Sequence, residues 1–160
     1  MGLDACVYCD CFERGLIREA PPTDTEVQVA SDGSLLCGSD RLETQLAFDR
    51  WLYTCRMCKH AGGVLLHHRI GNIALVGALR SELESLRESI PVIFEKVIYS
   101  GSHAGDFLGL EDVVFMQSEL DSLGGFLCSQ RDYQHLMDEF LRQMQELVTC
   151  SLAVGKPIVF

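Results

Sequence analysis

This sequence is poor in proline, in basic residues and in long apolar runs, and each shortage removes a class of protein. Four prolines in 160 residues, with 48% apolar and 22% charged side chains, exclude the composition of a disordered or low-complexity chain. No stretch approaches the ~18 uninterrupted apolar residues that a membrane-spanning helix needs; the best window, residues 73–79, stops at Arg80. Thirteen Lys and Arg face 23 Asp and Glu, a formal net charge of -10. No basic stripe offsets that balance, so a phosphate backbone is repelled at long range and nucleic acid is not an expected partner. The opening Met1-Gly2-Leu3-Asp4-Ala5-Cys6 has neither the basic start nor the apolar run of an export signal, and Cys6 stands where a myristoylation signal has Ser or Thr. A cytoplasmic chain is therefore expected, with its eight cysteines present as thiols or metal ligands rather than disulfides.

What is there reads as one α+β domain over residues 1–160, a mixed or antiparallel sheet with three or four helices packed on it. Residues 3–9 and the strictly alternating Glu26-Val27-Gln28-Val29 have strand character. Asp32-Gly33 signals a hairpin turn whose return strand covers residues 34–37. Ser39-Asp40 supplies a helix start, with Glu43 completing a capping box on Asp40, and the helix extends to about Met57. Gly62-Gly63 breaks the pattern before a short buried strand at residues 64–70. Ile73, Val76, Leu79, Leu83, Leu86 and Ile90 form the apolar stripe of a helix that Pro91 ends. Residues 92–99 fit a strand and a short helix equally well. A helix follows near residues 110–123, then a long final one, opened by Ser129 with Asp132 and buried along Leu136, Phe140, Met144 and Leu147. Residues 155–160 close the chain as an edge strand, Pro157 at its beginning.

Four groups of residues bear on chemistry. Cys6-x-x-Cys9-x-Cys11 and Cys55-x-x-Cys58-x-His60 both contain the two-residue gap of zinc half-sites, and two such halves can close one tetrahedral site. Cys55, Cys58 and His60 are the candidate ligands. The 43 residues between the halves exceed the loops of ordinary zinc modules, and free cysteine is commonly a small buried apolar residue; zinc is not favoured on this count. Four of the five histidines, His60, His67, His68 and His103, lie between residues 60 and 103, but adjacent His67 and His68 face opposite sides of a strand. The loop from Ser100 to Asp106 is rich in Gly and Ser and carries His103 and Asp106, a candidate acid and base. It matches neither a phosphate loop nor a nucleophile elbow. The acidity is concentrated after residue 100, where nine Asp and Glu outnumber three Lys and Arg. Asp138 and Glu139 on the final helix are the candidate contacts for a basic protein partner.

The segments Tyr8-Cys9-Asp10-Cys11-Phe12-Glu13, Leu65-Leu66-His67-His68-Arg69-Ile70-Gly71-Asn72 and Tyr99-Ser100-Gly101-Ser102-His103-Ala104-Gly105-Asp106 resemble a group of small bacterial proteins to which no activity attaches, over nearly the whole chain. In size, acidity and α+β layout the chain also resembles the immunity proteins of bacterial toxin systems. That resemblance implies a non-catalytic acidic protein that meets a basic partner. The competing expectation is a small enzyme or metal-binding protein built on His103 and Asp106 and on the Cys58/His60 group.

Overall fold

The computed structural model describes residues 2–99, 103 and 105–160. Its strands are β1 (Gly2–Tyr8), β2 (Val27–Val29), β3 (Leu35–Cys37), β4 (Val64–Asn72), β5 (Phe107–Leu108) and β6 (Ile158–Val159). The α-helices are α1 (Leu42–Tyr53), α2 (Ile73–Leu83), α3 (Leu110–Ser122) and α4 (Gln134–Val154), with a π-helical turn at Ile93–Val97. A four-stranded antiparallel sheet runs β4-β1-β6-β5, and β2 and β3 form a separate two-stranded ribbon. This is an α+β fold. Among the described residues no helix is long and apolar enough to cross a membrane.

The alternation of β1 decides which side of the sheet is core. Leu3, Ala5 and Val7 are buried while Gly2, Asp4, Cys6 and Tyr8 turn the other way, as the two-residue period of a strand requires. On the buried face α4 lays Met137, Phe140, Met144, Leu147 and Val148, all but inaccessible, against Leu79, Leu83, Val113, Met116 and Ile158 in one cluster. Each such side chain contributes about 1.5–3 kcal/mol through burial. Gly155 ends α4 in the left-handed conformation (φ 66°). There the Lys156 amide donates back to the Ser151 carbonyl and Pro157 follows, so the chain turns directly into β6.

Two polar devices shape the segment between α2 and α3. The buried Glu119 carboxylate accepts from the amides of Val92 and Ile93, at 2.8 Å each, and so satisfies the buried donors that begin the π-helical segment. At its other end Arg80 stacks 3.9 Å over the Phe94 ring and donates to the carbonyls of Phe94 and Ile98.

Several expectations change. The N-terminal strands do not share a sheet: β2 and β3 pair only with each other, because the chain leaves β1 through the turns at residues 11–15 and the Pro21-Pro22 stretch. Residues 64–72 form an edge strand rather than a buried one, with Ile70 its single buried side chain. Residues 158–159 lie inside the sheet rather than at its edge, because the two-residue β5 pairs beyond them. Helix α1 begins two residues later than Asp40 and has no side-chain cap; Ser39 Oγ instead accepts from the Arg41 amide. Pro91 starts a helical turn rather than ending one, since its missing amide costs nothing at a first position. Ile73 is 71% exposed, displaced from the stripe because Asn72 caps α2 through the Leu75 amide and sets the helix to start at Ile73 itself. Ser129 and its amide bind the Glu82 carboxylate rather than capping α4.

Phe140 is 1% exposed at the centre of the α4 stripe. Phe140→Ala should cost about 3–5 kcal/mol and lower the melting temperature by roughly 10 °C; a change of a degree or less in calorimetry would place the stripe outside the core.

Candidate metal centre

A second, smaller cluster lies beside the main core. Cys9, Phe48, Trp51, Leu52, Met57 and Cys58 are buried in it, with Cys11, Phe12, Ile17, Val27, Leu35, Cys37 and Leu65 packed around them. Two short segments bring its polar atoms together. Strand β1 ends at Tyr8 and the next amide, Cys9, still donates to Gly63 (2.8 Å), so the ladder with β4 delivers residues 9–11 beside the segment that leads into β4. Hydrogen bonds from Arg18 and Glu19 to Met57 and Arg56, and from the Trp51 indole to Glu19, frame the other side.

That segment must turn sharply to present Cys58 and His60. Gly62 and Gly63 both take left-handed angles (φ 63° and 71°), and a Cβ on Gly62 would lie 2.8 Å from the Tyr53 ring; only glycine meets both demands. Within the turn the His60 amide points at Cys58 Sγ, 3.3 Å away.

The sulfurs of Cys9, Cys11 and Cys58 and one imidazole nitrogen of His60 all lie within 4.8 Å of one another. A tetrahedron built from Zn–S bonds of about 2.3 Å and a Zn–N bond of about 2.05 Å has S···S edges of about 3.8 Å and S···N edges of about 3.6 Å. Cys9 Sγ and Cys58 Sγ are 3.8 Å apart, and His60 Nδ1 is 3.6 Å from Cys11 Sγ and 3.5 Å from Cys58 Sγ. Three edges thus have the dimensions of a metal-filled shell. The donor set, three soft sulfurs and an imidazole, suits zinc.

The protonation balance follows from burial. Burial pushes the Cys9 thiol up to about 12 and also raises Cys11. Burial lowers His60, helped by the charges of Lys59 and Arg18, so its imidazole is neutral at neutral pH and keeps a lone pair for a metal. A dication held there would displace the protons that burial keeps on Cys9 and Cys11, since charge on an ion reverses the local preference.

The candidate ligands are therefore partly regrouped. Cys58 and His60 are in the cluster and Cys55 is not: it sits at a left-handed backbone position (φ 58°) in the turn before them. Cys9 and Cys11 take its place. Cys6 points from the middle of β1, opposite His67, and stays outside as well. The signal lay in the matched one-residue gaps Cys9-x-Cys11 and Cys58-x-His60 rather than in the two-residue gaps. All eight cysteines are free.

The other candidate residues lie elsewhere. His103 Nδ1 is 3.6 Å from Asp106 Oδ2, and its Nε2 meets the Val97 carbonyl at 2.8 Å, with the ring between Tyr99 and Phe160. Tyr99 donates to the same Asp106 oxygen. Ser100, Gly101, Ser102 and Ala104 of that loop are outside the described residues. On α4, Asp138 accepts from Gln134, and Glu139 accepts from Arg142 and Gln143. His68 faces Glu146 at 2.8 Å while His67 is exposed, so these two do face apart.

No family model, curated protein or solved structure matches this chain.

Cys55 tests the metal-site reading from outside the four donors. A non-glycine residue in the left-handed region carries about 1 kcal/mol of strain, which Cys55→Gly removes against a comparable entropy cost in the unfolded chain. The variant should bind as much added zinc as the parent and melt within a few degrees of it; weaker zinc binding than the parent's would make Cys55 a ligand.

Proposed function

We propose that this chain is a zinc-binding protein whose ion, held by Sγ of Cys9, Cys11 and Cys58 and by Nδ1 of His60, is a structural clamp. The observation that carries this reading is the match of three donor–donor distances, 3.8, 3.6 and 3.5 Å, to the edges of a zinc tetrahedron. Four protein donors fill that shell and leave no position for water or substrate, which favours a structural over a catalytic ion. Zinc supplies there the charge that keeps three thiolates together in a buried place.

The clamp would join the end of β1 to the segment between α1 and β4. Those segments border the smaller cluster, whose six buried residues provide limited apolar area of their own. Small units of this kind are commonly completed by a metal. The single tryptophan, Trp51, is 3% exposed within the cluster and packs edge-on to Phe12, so its emission reports on the clamp directly.

Protein prepared under reducing conditions with zinc supplied should contain one zinc per chain by elemental analysis. Cys9→Ser, Cys11→Ser, Cys58→Ser and His60→Ala should each remove at least half of it, while Cys6→Ser and Cys150→Ser should not. A strong chelator should shift Trp51 emission to the red as the cluster loosens. Metal-free wild type under these conditions would end the proposal.

A further inference from the structure

Beyond binding a metal, the cluster has the geometry of an oxidation site. Resting on the zinc reading, we infer that Cys58 and the Cys9–Cys11 arm are a peroxide-responsive pair: a two-electron oxidant joins Cys58 to that arm by a disulfide and expels the zinc. Cys9 and Cys58 are 7% and 3% exposed, whereas Cys11 is only half-buried, so Cys11 is the sulfur an oxidant reaches. Cys58 lies within 4.8 Å of it and 3.8 Å from Cys9, close enough to form a sulfur–sulfur bond of about 2.05 Å by small side-chain rotations. Cys9 and Cys11, two residues apart, belong to one short segment, so the bridge across to Cys58 is the less constrained one.

The chemistry balances with hydrogen peroxide as the oxidant. The Cys11 thiolate attacks one peroxide oxygen, the O–O bond breaks, and Cys11 sulfenic acid and hydroxide result. The Cys58 thiolate then attacks the sulfenic sulfur, the S–O bond breaks, and a second hydroxide leaves as the disulfide forms. Two thiolates lose two electrons in all, and one peroxide becomes two hydroxides. Cys9 and His60 alone remain as donors, too few to close a tetrahedral shell, and the ion is released.

The new bond joins the same two segments that the ion joined. The smaller cluster therefore keeps its tie after the metal has gone, and the change is reversible by a dithiol reductant. The protein becomes a zinc donor under oxidation without coming apart.

The test treats zinc-loaded protein with hydrogen peroxide in the presence of a chromophoric zinc chelator too weak to strip the untreated protein. The expected result is one zinc released per peroxide consumed. Peptide mapping after thiol blocking should show Cys58 linked to Cys11 or Cys9, with the mass lowered by two hydrogens. Trp51 emission should stay near that of the loaded protein, and added dithiol with zinc should restore the metal. Zinc retained under peroxide, sulfinic acid at Cys11 without a cross-link, or Cys58 linked to a cysteine outside the cluster would overturn the inference. Elemental analysis of untreated protein tests the zinc reading separately. Were that protein metal-free, the same mapping on the reduced chain would still decide the cross-link.

Discussion

The antiparallel register between β1 and β4 is the constraint on which both halves of the molecule depend. Pairing runs from Gly2 opposite Asn72 to Tyr8 opposite Val64, and its irregular step at Val7/Tyr8 comes just before the last bond, from the Cys9 amide to Gly63. At one end this ladder sets Leu3, Ala5 and Val7 into the main core. At the other it carries Cys9 and Cys11 to within bonding reach of Cys58 and His60. A slip by one residue would turn the apolar face of β1 outward and would also separate the two pairs of donors. The buried core selects the register, and the register assembles the site.

A second tie crosses between the two clusters. Lys156, next to β6, is 4% exposed and pairs with Glu13 at 2.5 Å, with its Nζ 3.5 Å from the Gly33 carbonyl. Glu13 follows the Cys9–Cys11 segment and Gly33 is the tip of the β2–β3 ribbon, so one buried cation holds both to the end of α4. Removing Glu13 would leave the buried Lys156 ammonium without its carboxylate, whereas Glu13, which is 39% exposed, would return to water. The position of the ribbon is thus specified electrostatically, where few apolar side chains are available to specify it.

Local structure was legible in the sequence; long-range pairing was not. The alternation in β1, the Asp32-Gly33 turn, α3 and the Phe140 stripe of α4 are each written within a dozen residues and stand close to their expected places, except that Met137 and not the half-buried Leu136 opens the stripe. The cysteine half-sites were equally visible. Their closure was not, because Cys11 and Cys58 meet only through a β1–β4 pairing that skips a hairpin and a helix, and no local pattern encodes which edge a strand will take. Helix starts were misread where a side chain found another partner: Ser39 serves the Arg41 amide and Ser129 serves Glu82, so neither caps as its position suggests. Strand β5, two residues long, carries too little pattern to be seen.

The separation of the molecule into a large and a small cluster gives the site its physical character. In the main core α4, α3 and the sheet exclude water with side chains alone. In the smaller one three thiols and an imidazole stand among Trp51, Phe48 and Met57, and without a cation they offer each other only weak sulfur hydrogen bonds. Burial that raises Cys9 and Cys11 and lowers His60 favours the neutral form of these three groups, which avoids the heavy penalty of unpaired buried charge. On the proposed zinc reading, a dication would exchange thiol protons for four strong bonds in the same positions. The main core shares none of the four donors. Gain and loss of the metal would act on the local stability of one cluster, with β1 as the element common to both.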